Sequence, residues 1–275
     1  MADREDDEDD INPLTMLLPN EPEDDTTVPT VKNGVPKQQL DEQHYIRSID
    51  SMVLIRQLPS QGLSFQLWPA ATTLVTLLDQ HRCHPITSPL SSTLSALSDG
   101  PDHRPLRILE LGSGTGLVGI TAAATLGANV TVTDLPHVIP NLQFNADANS
   151  NFLAQHGGVV HVAPLRWGKV DDMEVIGREL DLILASDVVY HDHLYDPLLQ
   201  TLRYFLGGER KMVFVMAHLK RWKKDSAFFK KAKKLFEVEV IHADGPSEGS
   251  RVGVVVYRFA GKRQNLKTAA SANNA

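Results

Sequence analysis

Residues Arg107 to Gly116, RILELGSGTG, constrain the fold more than any other part of the chain. They read as an apolar strand carrying one acid, a glycine turn, and the start of a helix from Leu117 to about Gly127. Gly112 and Gly114 permit a tight turn and let a ligand approach the backbone with no Cβ in the way. The amides that open the helix lack intrahelical partners and face whatever lies over the turn. A carboxylate at Glu110, beside the turn, suits hydroxyls or an amine and would repel a pyrophosphate.

The next strand narrows the ligand. Val130-Thr131-Val132-Thr133-Asp134 alternates and ends in an acid about 20 residues after the glycines, where doubly wound folds keep a ribose-binding carboxylate. A dinucleotide such as NAD and S-adenosylmethionine both fit. The dinucleotide fingerprint asks for a third glycine three residues beyond Gly114, and that position is Leu117. The spacing G-x-G-x-G therefore favours S-adenosylmethionine. A glycine turn with no ligand at all is the remaining reading.

From this point strand and helix alternate. Strands are expected at Leu106–Leu111, Asn129–Asp134, Val159–Ala163, Leu180–Ser186, Lys211–Ala217, Phe236–Ile241 and Gly253–Phe259. Helices are expected at Leu117–Gly127, Val138–Gln155, Leu194–Leu206 and Trp222–Leu235. Such alternation gives an α/β, Rossmann-like, doubly wound and mainly parallel seven-stranded sheet. The short link between the last two strands makes them antiparallel. Upstream, Ser51–Arg56 and Leu63–Trp68 are read as a β-hairpin turned by Leu58–Gly62, and Pro69 as the first-turn residue of a helix to about His81. Residues 82 to 105 read as a connecting loop.

Composition divides the chain unevenly. Residues 1 to 25 hold eleven acids and one Arg, a net of −10 against −7 for the whole chain, which leaves +3 for the remainder. Residues 1 to 40 are expected to be a disordered acidic tail, 41 to 105 a hairpin, helix and loop packed on the core, 106 to 260 the ligand-binding core, and 261 to 275 a second tail. No stretch is apolar enough to span a membrane, and no basic-then-apolar leader is present. The single Cys83 allows no disulfide framework and fits a reducing compartment, the cytoplasm with the nucleus as a second location.

Ligands of open parallel sheets bind at the carboxyl ends of strands, and the candidate residues all map there. Gly112 to Gly116 follow the first strand, Asp134 the second, Trp167 the third, and Ser186 to Tyr190 the fourth. Ser113 and Ser186 fall in these runs and join the candidate cofactor contacts. Asp134 would accept from both ribose hydroxyls or cap the following helix. Trp167 would stack on a base or lid the core. Asn145 and Asn149 would approach an adenine edge or stay exposed on their helix. His191 and His193 are spaced for a metal on a strand, but a third ligand is missing nearby. Lys220 to Lys234 carry eight basic residues and one acid, either a solvated face or a surface for an acidic partner.

The runs ELGSGTGLVGI, VTVTDLP, LRWG and ILASDVVY, in that order, resemble the class I, seven-β-strand methyltransferases. With Leu67-Trp68-Pro69-Ala70 upstream and Asp187-Val188-Val189-Tyr190 downstream, the chain is most similar to the protein-lysine methyltransferases of the methyltransferase-like 21 group, which are unrelated to SET-domain enzymes. The resemblance runs from about Asp50 to Phe259. It implies S-adenosylmethionine as cofactor and Trp68 against its methionine end. It also implies Trp167 at the cofactor, and Asp187 and Tyr190 at the acceptor. A free lysine has a pKa near 10.4 and is about one part in a thousand neutral at pH 7, so an acid that anchors the ammonium and a ring that holds the cation suit this chemistry. The expected partner is a protein presenting a lysine, with the enzyme a monomer and nucleic acid disfavoured. The alternative is the same fold acting on another acceptor, a small molecule or nucleic acid. An N-P-P-Y-like run and a glutamate pair for a guanidinium are both missing after the fourth strand. A non-catalytic module is disfavoured by the intact Gly112, Gly114, Asp134 and Asp187.

Overall fold

The computed structural model describes residues 39–98, 104–208, 212–221, 224–246 and 252–262. Apart from residues 39, 40, 261 and 262, the two expected tails lie outside these residues.

Seven strands form one sheet in the order β5-β4-β3-β6-β7-β9-β8. They are β3 (Arg107–Leu111), β4 (Asn129–Asp134), β5 (Val159–Pro164), β6 (Leu182–Ser186), β7 (Val213–Leu219), β8 (Phe236–Ala243) and β9 (Val254–Gly261). The first five run parallel, while β9 inserts antiparallel between β7 and β8. Every residue of β7 is buried, as expected of a strand covered on both faces. Strand order reverses at β3, which has β4 on one side and β6 on the other. That makes the carboxyl ends of β3 and β6 the switch point where such sheets open a crevice.

Two apolar layers cover the sheet. One contains α1 (Pro69–Cys83), α2 (Ser91–Ser98), α3 (Leu117–Leu126), α4 (Ile139–Ala148) and α5 (Ser150–Gln155). The other contains α6 (Val170–Ile176), α7 (Tyr195–Leu206) and α8 (Asp225–Leu235). α3 is apolar all round and is buried almost throughout, as such a helix must be. α7 is one-sided: Tyr195, Leu198, Leu199, Leu202, Phe205 and Leu206 recur at helical spacing and are buried.

Several expectations need correction. The N-terminal hairpin is formed by β1 (Leu40–Ile46) and β2 (Ser51–Gln57), with Ile46 opposite Ser51. Leu63–Phe65 is a 3-10 turn rather than the second strand. Its alternation of Leu63, Phe65 and Leu67 imitates a strand because Phe65 goes into the core while Leu63 and Leu67 border a cavity. The true partner, LDEQHYI, is mostly exposed and offers no apolar period to read. The expected loop at 82 to 105 contains α2, and the short α6 was missed altogether. The helix expected over Val138–Gln155 is broken at Asn149 into α4 and α5.

That break accompanies a pairing invisible in the sequence. Asn141, Asn145 and Asn149, four residues apart, lie on one face of α4 and bond the backbone of β2 like a missing strand. Asn145 accepts from the Arg56 amide at 2.9 Å and donates to the Arg56 and Thr115 carbonyls at 3.1 and 2.8 Å. Asn149 accepts from the Leu54 amide at 2.9 Å and donates to its carbonyl at 2.8 Å. Asn145 and Asn149 are therefore buried rather than exposed, and they are spent on β2 rather than lining the cavity at the carboxyl edge of the sheet.

Candidate active site

The turn after β3 is built from three left-handed glycines, Gly112, Gly114 and Gly116, at φ of 62°, 55° and 86°. A Cβ on Gly112 would come within 3.0 Å of the Trp167 ring and 3.1 Å of Val188. One on Gly114 would lie 3.1 Å from the Ser64 carbonyl oxygen. Glycine therefore suits both the left-handed backbone and the tight space, where a side chain would be strained and crowded. Ser113 ties the turn to β4, accepting from the Thr133 amide at 3.0 Å through its hydroxyl. Asp134 completes the tie. Its Oδ2 accepts from the Gly114 amide and its Oδ1 from the Leu135 amide, each at 2.8 Å. Each oxygen keeps a further acceptor site. Burial pushes the Asp134 carboxyl upward, against these two amide bonds.

These residues line a cavity of about 430 Å³ at the carboxyl edge of the sheet. Leu63 to Trp68 roof one side, the glycine turn and Asp134 form the floor, and Trp167 closes the third strand's end. Ser186, Asp187, Val188 and Tyr190 supply the end beyond β6. Trp68, which precedes α1, is fixed by its indole N–H donating to the Leu63 carbonyl at 2.9 Å. Tyr190 packs on His191 with ring centroids 4.8 Å apart. Burial raises its phenol pKa, and the Asp134 carboxylate raises it further.

Glu110 behaves differently from the expectation of a ligand contact. It is 1% exposed and is absent from the cavity wall. Its Oε2 accepts from the Gly119 amide at 2.9 Å, which caps the first turn of α3 from below, and its Oε1 has no hydrogen-bond partner. Desolvation pushes its carboxyl up to about 8. A Cβ on Gly119 would fall 2.3 Å from Val132 Cγ1 and 2.6 Å from that Oε2, so both the packing on β4 and the buried acid favour glycine there.

Asp187, expected at the acceptor, has protein partners already. It borders the cavity, but its carboxylate is already engaged. Arg221 forks it through Nη1 and Nη2 at 3.2 and 3.1 Å. The Leu219 and Ala70 amides add bonds at 2.9 and 3.4 Å. Its backbone is left-handed at φ 53°, a conformation asparagine and aspartate tolerate better than other side chains. Behind it the buried His218 spans two acids, its Nδ1 3.9 Å from Asp187 and its Nε2 3.3 Å from Asp225. Arg221 was legible only as part of a basic run. It precedes α8, at the carboxyl end of a strand, and the rule that located the other candidates applies to it equally. His191 and His193 stack on each other at 5.3 Å, and among the described residues no three His, Cys, Asp or Glu side chains gather as a metal site would require.

Comparison with known proteins identifies the family. The sequence profile described as lysine methyltransferase matches residues 48–235. The chain is 32% identical over 207 residues to protein N-lysine methyltransferase METTL21A of Danio rerio, covering 75% of this chain and 81% of that protein. It is 34% identical over 198 residues to EEF1A lysine methyltransferase 3 of Mus musculus, covering 72% of each. It is 34% identical over 151 residues to protein-lysine N-methyltransferase rrg1 of Schizosaccharomyces pombe, covering 54% of this chain and 44% of that one. With a glycine cradle, a buried aspartate and two tryptophans placed around one cavity by a seven-stranded sheet, the chain belongs to the lysine methyltransferase family.

Proposed function

We propose that the cavity at the ends of β3, β4 and β6 binds S-adenosylmethionine and receives the side chain of a lysine from a protein substrate. The protein is a methyltransferase, and its acceptor is a protein lysine. The observation that carries the cofactor reading is the cradle itself. Two left-handed glycines, at which a Cβ would be strained and crowded, and a buried Asp134 with open acceptor sites face a cavity large enough for a drug-sized ligand. S-adenosylmethionine supplies a methyl group on a sulfonium sulfur, an electrophile for an uncharged amine.

The chain's own residues divide the work. The backbone of Gly112 to Gly114 lets a ligand lie against the turn, Asp134 accepts from hydroxyls, and Trp167 presents a flat apolar face over Gly112. Ser113 holds the turn, and Ser186 and Trp68 border the same cavity toward β6. Glu110 supports α3 from behind without contacting the ligand. Tyr190 and Trp68 offer ring faces for an alkylammonium and exclude water from it. Asp187, locked in its bonds to Arg221, Leu219 and Ala70, acts by fixing the β6–β7–α1 corner.

The test has two arms. Calorimetry should show binding of S-adenosylhomocysteine and none of NAD. Labelled S-adenosylmethionine with a cell extract should mark a discrete protein band, and mass spectrometry should place the label on lysine. Binding of NAD without response to S-adenosylhomocysteine would sink the cofactor reading; label on nucleic acid or a small molecule would sink the acceptor reading alone.

A further inference from the structure

We propose that Arg221 sets the reactivity of the acceptor amine by neutralising Asp187. The proposal rests on the lysine-acceptor reading above. An unpaired carboxylate at the acceptor end of the cavity would attract the lysine as ammonium and stabilise it in that form, which has no lone pair to attack a methyl group. The fold needs the Asp187 carboxylate all the same, because it holds the Leu219 and Ala70 amides at the junction of β6, β7 and α1. The bidentate guanidinium cancels its charge without releasing those amides. Arg221 is itself held in place: its side chain is 6% exposed and its guanidinium lies 5.0 Å from the Trp68 ring centroid. Acceptor and corner thus meet a neutral pair instead of an anion, and the amine loses its proton to water more readily.

Other titratable and charged groups face this corner. His218 on β7 and Asp225 and Lys224 at the start of α8 surround the pair, with Tyr195 of α7 at 3.4 Å from Asp225. Asp134, Arg166, Tyr190 and His191 line the rest of the cavity. Changing only Asp187 or Arg221 leaves all of these in place, so a movement of the pH profile reports the pair. The two substitutions carry opposite signs. Arg221→Met leaves an anion beside the amine, so the amine deprotonates at higher pH. Asp187→Asn leaves a cation beside it, so the amine deprotonates at lower pH, while the amide oxygen still accepts from Leu219.

The experiment measures turnover against pH, since turnover reports groups in the enzyme–substrate complex. The probe is labelled S-adenosylmethionine with the acceptor protein that wild-type enzyme labels in extract, purified and saturating. The acid-limb midpoint should rise by about one unit or more in Arg221→Met, costing about tenfold in rate at pH 7, and fall in Asp187→Asn. Arg221→Lys should stay near wild type, and the double variant Asp187→Asn/Arg221→Met should return the midpoint toward it. Uniform rate losses with unmoved midpoints would mean that the pair is only a structural tie, and the inference would be wrong while the methyltransferase reading survives. If Arg221→Met does not fold, the direction of the Asp187→Asn shift still decides. If wild-type protein labels no lysine, the underlying reading falls and this inference with it.

Discussion

The two ends of the cavity are built on opposite plans. At the β3–β4 end, Gly114 and Asp134 sit 20 residues apart in the chain, and backbone-to-side-chain bonds through Ser113 and Gly114 join the turn to β4. At the β6–β7 end, Asp187 is held by Ala70, Leu219 and Arg221, residues 117, 32 and 34 positions away. The first end is a local motif with one acid free to accept more bonds. The second is a long-range knot in which the acid is already satisfied. A carboxylate beside a cavity is therefore not enough to name a ligand contact; its existing partners decide whether it is available.

The sharpest way to break this comparison is at the glycine turn. Gly114→Arg should abolish binding of S-adenosylhomocysteine by calorimetry, because even a Cβ there lies 3.1 Å from the Ser64 carbonyl at a φ of 55°. Retained binding would mean that the ligand does not lie on the turn.

The two aspartates should separate next. Asp187→Ala should leave S-adenosylhomocysteine bound within about tenfold, roughly 1.4 kcal/mol. It should also lower the melting temperature, since stranding a buried Arg221 costs about 3–5 kcal/mol. Asp134→Ala should weaken the cofactor first. Equal effects of both substitutions on affinity would erase the distinction between the two ends.

A substitution outside the cavity sharpens the contrast. Asn145→Ala removes the partner of the Arg56 amide and of two carbonyls. It should cost about 1–3 kcal/mol in denaturant titration and leave cofactor affinity alone. A loss of affinity without a loss of stability would restore the idea that this residue reaches the ligand.

A further prediction concerns Glu110. Its carboxyl titrates near 4.5 when unfolded and at about 8 when folded. Between those values the folded protein holds a proton that the unfolded chain has lost. Its contribution is therefore complete below about 4.5 and is lost as pH rises through about 8. Melting temperatures across that range should flatten in Glu110→Gln relative to wild type. Parallel curves would show that Glu110 is not a neutral acid beneath α3.

Much of the scaffold was legible because it depends on short-range periodicity. The seven strands, the buried α3 and the amphipathic α7 follow from alternation, apolar runs and helical spacing, and the cradle follows from glycines and an acid at fixed offsets. Hydrophobic pattern failed where burial was shared between core and cavity, as at Leu63–Phe65, and where a strand is exposed, as at Leu40–Ile46. Ligand chemistry failed where a polar group met the protein instead of a ligand. Glu110 turns to the Gly119 amide, while the asparagines of α4 bonding β2 and Arg221 bonding Asp187 pair across long separations. The sequence by itself determined the seven strands of the sheet and brought the candidate residues to one edge of it. Only the tertiary structure decided which of those polar groups remain open, because hydrogen-bond and charge satisfaction depend on neighbours in space that no local spacing encodes.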